Sequence, residues 1–184
     1  MPSNIEIKAK VKKLDSLRRL AGNIATEPSQ TLNQEDVFFQ SNKGRLKLRI
    51  FSSHSGELIQ YERPDTRGAK QSNYLIHKTS KPLELRQLLS SALGETVVVK
   101  KKREVYMVGQ SRIHLDEVAE LGSFMELEVV LNPKQTPEEG RKIAADLMKK
   151  LEVKESDLVS CAYADLLQKK VEQSAAVDAD KQRD

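Results

Sequence analysis

The chain has 184 residues, enough to bury a hydrophobic core within a single domain. Its 31 basic and 27 acidic residues give a net charge of +4, and 32% of all residues are charged, so the position of the charges is more informative than their sum. The single cysteine, Cys161, excludes an intramolecular disulfide. Neither a signal segment nor a run of about 18 apolar residues is present, which predicts a cytoplasmic protein without a membrane partner.

Alternation of polar and apolar side chains predicts five strands in the first half of the chain. Their approximate bounds are 4–11, 30–40, 45–50, 57–63 and 70–77. Asp15 is placed to cap a short helix that ends near Gly22. On the third strand the polar face is wholly basic, because it carries Arg45, Lys47 and Arg49.

The second half of the chain adds three helices, a long strand and a hairpin. A helix at 82–93 is followed by the strand at 96–108 and the hairpin at 112–131. Thr136 and the proline and glutamates after it predict a capped helix that ends near Leu151. The last helix is predicted at 156–170, with Tyr163 as a packing anchor. We interpret residues 1–170 as one domain and the polar segment 171–184 as a disordered tail.

The hairpin carries the most informative pair of residues. Glu126 and Glu128 are two apart on one strand, so their side chains point the same way and are neighbours about 7 Å apart. Two adjacent carboxylates repel each other unless a cation or basic partners lie between them. Removal of either one is therefore expected to leave the metal-free protein as stable as before, or more stable. On the other strand of the hairpin, His114 lies beside Asp116, where it serves either in function or in a structural hydrogen bond.

The charges are sorted by strand face. The polar face of a half-solvated open sheet usually mixes both charge signs with uncharged polar residues, whereas several strand faces here are wholly basic. A barrel with a charged interior and an apolar outer surface explains this sorting better. The predicted fold class is therefore α+β, an antiparallel β-barrel of about eight strands with helices packed outside. The basic faces carry Lys8, Lys10, Arg45, Lys47, Arg49, Arg63, Lys101 and Arg103, and the acidic residues are Glu6, Asp116, Glu126 and Glu128.

Charges inside a barrel are stable only when they are neutralised. A linear polyphosphate with Mg²⁺ or Mn²⁺ meets this need, since arginine and lysine bind phosphate oxygens and carboxylates bind hard divalent cations. Nucleic acid is not expected as a partner, because the basic strands lack the interleaved aromatic residues of a stacking platform. The oligomeric state is left open.

The sequence resembles the CYTH superfamily, also called triphosphate tunnel metalloenzymes, and within it the branch similar to class IV adenylyl cyclases. The likeness spans residues 3–167, and its motifs occur in the family's order. They are Asn4-Ile5-Glu6-Ile7-Lys8, Arg45-x-Lys47-x-Arg49, the YERPD turn, Lys101-x-Arg103, His114-x-Asp116 with LGSFMELE, and the closing CAYADLL. The resemblance implies an eight-stranded tunnel, a triphosphate-containing small molecule as partner, and Mg²⁺ or Mn²⁺ as cofactor.

The charge pattern and the resemblance together assign a role to each candidate residue. Lys8 and Glu6 are the candidate catalytic residues. The candidate metal ligands are Glu6, Glu126, Glu128 and Asp116, with Asn4 as a further candidate. The candidate phosphate-binding residues are Lys10, Arg45, Lys47, Arg49, Arg63, Lys70, Lys101, Arg103 and Arg112.

Asn4 departs from the family's opening motif, which is Glu-x-Glu-x-Lys. An asparagine offers an amide oxygen to a metal but no negative charge. In a second register, Glu6-x-Lys8-x-Lys10, the chain would lose the second glutamate instead. We favour the first register, and in both of them the first strand carries a single acid.

Three functions are compatible with this sequence. The first is metal-dependent hydrolysis of inorganic tripolyphosphate or an organic triphosphate, in which water polarised by the metal attacks the terminal phosphorus. The second is a class IV-type cyclase that converts ATP to cyclic AMP and pyrophosphate. The third is a non-catalytic module that binds polyphosphate or nucleotide, for which Asn4 is the motivating residue. We favour hydrolysis, because a cyclase needs a nucleoside pocket and only 4% of the residues are aromatic.

Overall fold

Eight strands close into an antiparallel barrel in the computed structural model, which describes residues 3–64, 66 and 68–181. The strands are β1 (Ser3–Lys10), β2 (Gln30–Phe39), β3 (Arg45–Ser52), β4 (Ser55–Glu62), β5 (Lys70–Thr79), β6 (Glu95–Val108), β7 (Ser111–Val118) and β8 (Gly122–Val130). Around the closed sheet their order is β1-β5-β4-β3-β2-β6-β7-β8. The predicted fold class is therefore confirmed, and the alternative of an open, half-solvated sheet is excluded.

The strand register brings charged residues of β1, β7 and β8 side by side. Across β1 and β8, Glu6 lies opposite Glu128 and Lys8 lies opposite Glu126. Across β7 and β8, His114 lies opposite Glu126. Because successive side chains of a strand point to opposite faces, all of these residues project into the barrel while their apolar neighbours project outward.

The helices bury the outward-facing apolar side chains. They are α1 (Leu14–Ile24), α2 (Pro82–Leu93), α3 (Pro137–Lys150) and α4 (Tyr163–Lys181), with a 3₁₀ turn at Glu155–Asp157. Residues of α1 and α3 pack on Ile5, Ile113 and Leu127, each 0% exposed, and α2 packs on Val37 and Leu48. The hydrophobic core thus lies between the barrel and its helices, which leaves the interior of the barrel for polar groups.

Helix α3 begins as its sequence predicts and lies very close to β1. Thr136 and Glu139 form a reciprocal capping box at its first turn. Gly140 faces the sheet, where a Cβ atom would lie 2.5 Å from Leu131 and 2.7 Å from Ile5. Only glycine permits this close approach, so any larger residue at position 140 would push the helix away from β1.

Residues 158–167 cover one end of the barrel, which we call the closed end. The backbone N–H of Val159 donates to the carbonyl of Lys8 (2.8 Å), and Leu158 forms an isolated bridge with Ala9. Tyr163 and the residues that follow it pack on Phe124 in a second apolar cluster. The opposite end, which we call the open end, has no such segment packed across it among the described residues.

Helix α4 differs from its predicted bounds. It begins at Tyr163 rather than near residue 156, and it continues to Lys181, where the sequence predicted a disordered tail. Residues 171–181 contain neither glycine nor proline and are rich in alanine and other helix-forming residues, which explains the extension. Residues 182–184 of the predicted tail lie outside the described residues. Within the described ranges, no helix has the length and apolar character needed to cross a membrane.

Candidate active site

The interior of the barrel holds a cavity of about 410 Å³ lined by side chains from all eight strands. Most of the predicted site residues meet there, although they come from distant parts of the sequence. The predicted residues that line the cavity are Asn4, Glu6, Lys8, Lys47, Arg49, Arg63, Lys101, Arg103, Arg112, Glu126 and Glu128. A volume of this size is typical of small-molecule sites, which range over about 300–1,000 Å³.

Asp36 organises the basic wall of this cavity, although it is not among the site residues predicted from the sequence. Its carboxylate accepts hydrogen bonds from Lys47 (3.0 Å), Lys101 (3.0 Å) and both Nε and Nη2 of Arg49 (2.8 and 2.9 Å). Asp36 is only 2% exposed. Three cations from two other strands are therefore held together by one buried carboxylate. Alternation along residues 30–40 puts Asp36 on the same face as Gln34, but the opposite face carries Asn33 and Glu35, so the sequence alone does not single out Asp36.

The charge of this wall depends on Asp36. Burial alone would raise the pKa of Asp36, but Arg49, Lys101 and Lys47 hold it well below its usual value. Burial lowers the pKa of Lys101 to about 7, although Asp36 acts in the opposite direction. Burial also lowers the pKa of Lys47. The wall thus contains an amine that changes its charge near neutral pH.

We expect the affinity for tripolyphosphate to fall as the pH rises above 7. The pKa of Lys101 is about 7 in the folded protein and about 10.5 for an ordinary lysine, as in the unfolded chain. Between these two pH values the unfolded chain binds more protons, so Lys101 makes the folded protein more stable as the pH rises. A bound polyanion favours the protonated amine, so binding takes up a proton and weakens by up to about tenfold for each pH unit above 7. Calorimetric titration in metal-free buffer between pH 7 and 9 measures this slope. Lys101→Arg keeps its charge and should flatten the slope, whereas equal slopes would contradict the assignment.

Asp116 was predicted as a metal ligand, but it is not among the residues that come together as possible ligands around His114. It is 0% exposed, accepts two hydrogen bonds from Arg103 (2.7 and 2.6 Å), and accepts a third from the hydroxyl of Tyr163 (2.8 Å). Burial alone would raise the pKa of Asp116, and Arg103 more than offsets this. Asp116 therefore positions Arg103, because its oxygens are taken by protein donors.

Tyr163 is a packing anchor as predicted, and it also reaches the cavity. Its ring meets Phe124 edge-on, with 5.0 Å between the ring centroids. The Nζ atom of Lys8 lies 3.5 Å from the centre of the same ring, close enough for a cation–π interaction. Helix α4 thereby fixes the closed end of the tunnel and supports the lysine next to the acidic residues.

The acidic residues predicted on the hairpin form a compact group with His114. One ligand atom from each of Glu126, Glu128 and His114 can be chosen so that all three lie within 4.8 Å of one another. Basic partners offset the repulsion between the carboxylates: Lys8 lies 2.8 Å from Glu126, and Arg112 lies 2.8 Å from Glu128. Burial alone would raise the pKa of Glu126, but Lys8 and Arg103 hold it well below its usual value.

This group fits a divalent cation. The Nδ1 atom of His114 is buried without a hydrogen-bond partner and lies 3.9 Å from an oxygen of each glutamate. A cation between these atoms would satisfy all three, and two carboxylates with one imidazole form a donor set that suits Mn²⁺ and tolerates Mg²⁺. Burial also lowers the pKa of His114, which keeps the imidazole neutral, as a metal ligand must be.

Glu6 and Asn4 line the same cavity beside this group. Glu6 lies opposite Glu128 in the sheet register, and its carboxylate accepts a hydrogen bond from Arg63 at 2.8 Å. Asn4 is 3% exposed, and its Oδ1 atom has no hydrogen-bond partner. Both side chains face the interior. In the favoured register of the opening motif, the first glutamate is therefore replaced by Asn4, whose amide oxygen has no hydrogen-bond partner.

Three predicted phosphate-binding residues lie away from this cavity, near the closed end. Arg45 donates to Asp165 of α4 at 2.9 Å, and Lys70 donates to the carbonyl of Ser160 at 2.5 Å. Lys10 is exposed, and its ammonium lies 5.7 Å from the centre of the Phe124 ring. In the described structure Arg45 and Lys70 hold the segment that covers this end, a role that strand alternation alone does not reveal.

Comparisons with solved structures find the same barrel in other proteins. The PH1012 protein of Pyrococcus horikoshii matches with a TM-score of 0.79 and 26% identity, over 89% of this chain and 98% of that one. A candidate adenylate cyclase of Vibrio parahaemolyticus matches with a TM-score of 0.72 and 17% identity, over 90% and 97% of the two chains. HpAC1 of Hippeastrum, an adenylyl cyclase candidate described as having a dominant triphosphatase activity, matches with a TM-score of 0.59 and 14% identity, over 88% and 91%. The last two likenesses show the fold alone.

The family comparison is more specific than these structural likenesses. A search of curated proteins found no match. The family model of the CYTH domain, however, matches residues 3–163, which include all eight strands and the first part of the segment across the closed end. The chain therefore belongs to the CYTH domain family.

Proposed function

We propose that the protein hydrolyses a triphosphate inside its barrel with the help of Mg²⁺ or Mn²⁺. The observation that carries this proposal is the division of one cavity into two walls. Lys47, Arg49 and Lys101 meet at Asp36 on one wall, and the Glu126–Glu128–His114 group lies on another. A polyphosphate chain needs cations along its length and a divalent ion at the reacting phosphorus, and the two walls supply both.

Different residues of the chain would have different roles in such a reaction. The basic wall binds and orients the phosphate oxygens, with Arg49 and Arg103 offering planar, fork-shaped donors. Glu126, Glu128 and His114 would hold a divalent ion, and Glu6, which lies opposite Glu128 in the sheet register, is the candidate for a further ligand. A bound ion would polarise a phosphoryl oxygen and make water a better nucleophile. Lys8, held between Glu126 and the Tyr163 ring, supplies a fixed positive charge for the developing negative charge.

Product analysis tests the proposal. Tripolyphosphate, ATP and thiamine triphosphate are each incubated with the protein, with and without Mg²⁺ or Mn²⁺, and the products are identified. Release of orthophosphate only in the presence of metal is the expected result. Cyclic AMP with pyrophosphate would make the protein a cyclase. Binding without any product would leave the non-catalytic module.

Tripolyphosphate should raise the melting temperature of the protein before any chemistry occurs, because it binds only the folded barrel. Arg49→Ala removes a guanidinium group, with its positive charge and its N–H donors, from the basic wall and should reduce this thermal shift by at least about half. Arg141→Ala is a matched control, because Arg141 pairs only with the exposed Glu138 on α3 among its described partners. If millimolar tripolyphosphate does not change the melting temperature of the unmodified protein, the proposed function is wrong.

Asn4→Glu should strengthen the response of the protein to metal. The new carboxylate would lie two residues before Glu6 on the interior face of β1, where it adds a negative charge. Like-charge repulsion lowers the melting temperature without metal, and Mn²⁺ should then raise it by more than in the unmodified protein. Asn4→Gln introduces a side chain of the same size as glutamate but without its charge, and it serves as the control. Superimposable Mn²⁺ titrations of the Glu and Gln variants would place Asn4 outside the metal site.

A further inference from the structure

The interior of the barrel changes from charged to apolar toward the open end on three adjacent strands. On β3, Lys47 and Arg49 are followed by Phe51, and on β6, Lys101 and Arg103 are followed by Val105 and Met107. On β2, Asp36 and Gln34 are preceded by Leu32. We call Leu32, Phe51, Val105 and Met107 the apolar wall.

The apolar wall is not part of the hydrophobic core. All four side chains line the cavity and are partly exposed to it, and none of them belongs to the apolar clusters formed by the described residues. Apolar surface that lines a cavity favours the binding of a ligand that covers it, because covering removes that surface from water. An inorganic polyphosphate is polar along its whole length, so it cannot cover this surface.

The apolar wall adjoins the basic wall directly. In the β2–β6 register Leu32 lies opposite Arg103, and Gln34 lies opposite Lys101. In the β2–β3 register Asp36 lies opposite Arg49, two residues before Phe51. A ligand whose phosphates contact Arg49 and Lys101 would therefore place the group attached to those phosphates against Leu32 and Phe51.

Gln34 marks the border between the two walls. It is 6% exposed and lines the cavity, and its Oε1 atom is buried without a hydrogen-bond partner. Phosphate oxygens are acceptors and cannot satisfy this oxygen. An N–H or O–H donor on an organic group can do so, and an unsatisfied buried acceptor costs about 1–3 kcal/mol until it is satisfied.

We propose that the apolar wall and Gln34 bind the organic part of a triphosphate ester, so that the substrate is an organic triphosphate rather than inorganic tripolyphosphate. The bound group is flat or apolar, which lets it cover Phe51 and Leu32, and it carries a hydrogen-bond donor for Gln34. This inference rests on the proposed function, because it takes the phosphates to lie on the basic wall.

Paired binding measurements test the inference. Calorimetric titrations in metal-free buffer compare tripolyphosphate with ATP and thiamine triphosphate, both of which carry a ring with an amino group. We expect at least one of the two esters to bind more tightly than tripolyphosphate. Phe51→Ala should weaken that ester by about tenfold, the usual scale for loss of one stacking contact, and leave tripolyphosphate unchanged. Gln34→Leu should weaken the ester in the same selective way.

A control variant and the inorganic ligand separate the possible outcomes. Leu75→Ala removes a side chain that is 55% exposed and does not line the cavity, and it should change neither affinity. If tripolyphosphate binds but both esters bind no more tightly, or if Phe51→Ala weakens both ligand classes equally, the inference is overturned and the proposed function stands. If the unmodified protein does not bind tripolyphosphate or either ester, the proposed function fails and the inference fails with it.

Discussion

Asp36→Asn is expected to lower the free energy of unfolding by about 3–5 kcal/mol, the cost of leaving buried charges without their partner. The substitution keeps the shape of the side chain and removes the charge that neutralises Lys47, Arg49 and Lys101. Asp36 and Lys101 each have side chains only 2% exposed, so solvent cannot replace the lost interaction. Chemical denaturation of both proteins at low ionic strength measures the difference.

Two further measurements separate this effect from a general loss of ion pairing. Glu35→Gln, one residue earlier on β2, breaks contacts with Arg86 and Lys100 outside the barrel, and it should cost only about 0–1 kcal/mol. Tripolyphosphate should restore part of the stability that Asp36→Asn loses, because its charge takes the place of the carboxylate. Equal losses in the two variants, or no recovery with tripolyphosphate, would contradict the role given to Asp36.

The sequence was sufficient to predict the barrel and most of its interior. Strict alternation on β1, β3 and β8 assigns the charged residues of each strand to one face, and the sorting of charge among the strand faces favours a closed interior. The capping box at Thr136 likewise fixed the start of α3. These features are local, so they can be recognised before the strands are paired.

The parts that the sequence could not reveal depend on pairing between distant strands. Asp36 is one of two adjacent acids on β2, and its importance appears only when β3 and β6 bring three cations to it. Asp116 carries the right chemistry for a metal ligand, but Arg103 and Tyr163 occupy its oxygens. Arg45 and Lys70 alternate along their strands with the interior residues, but they donate hydrogen bonds to α4 and to the segment before it at the closed end.

Glu126 and Glu128 differ in a way that was also hidden from the sequence. The prediction from alternation was that two crowded carboxylates destabilise the metal-free protein. The structure instead gives Glu126 two buried basic partners, Lys8 at 2.8 Å and Arg103 at 2.5 Å. Glu128 pairs with Arg112, whose side chain is 38% exposed. The two positions should therefore respond differently to the same substitution.

Glu126→Gln and Glu128→Gln should each reduce metal-dependent turnover by at least about 100-fold, because each removes a charged ligand from the proposed metal site. Without metal, Glu126→Gln should lower the melting temperature, since it leaves Lys8 and Arg103 with less neutralising charge in a buried place. Glu128→Gln should leave the melting temperature nearly unchanged, because solvent reaches Arg112. Turnover and metal-free melting curves of the purified variants measure both effects.

Glu138→Gln, on the exposed face of α3, controls for the loss of a surface charge and should change neither quantity. The response to Mn²⁺ separates a metal ligand from a residue that only supports the fold. Mn²⁺ should raise the melting temperature of the unmodified protein and of Glu138→Gln, and the rise should be much smaller in both interior variants. Full turnover in either interior variant would show that the Glu126–Glu128–His114 group does not hold the catalytic ion. If Glu128→Gln keeps a normal melting curve without metal but loses the response to Mn²⁺, the Glu128 carboxylate is a metal ligand.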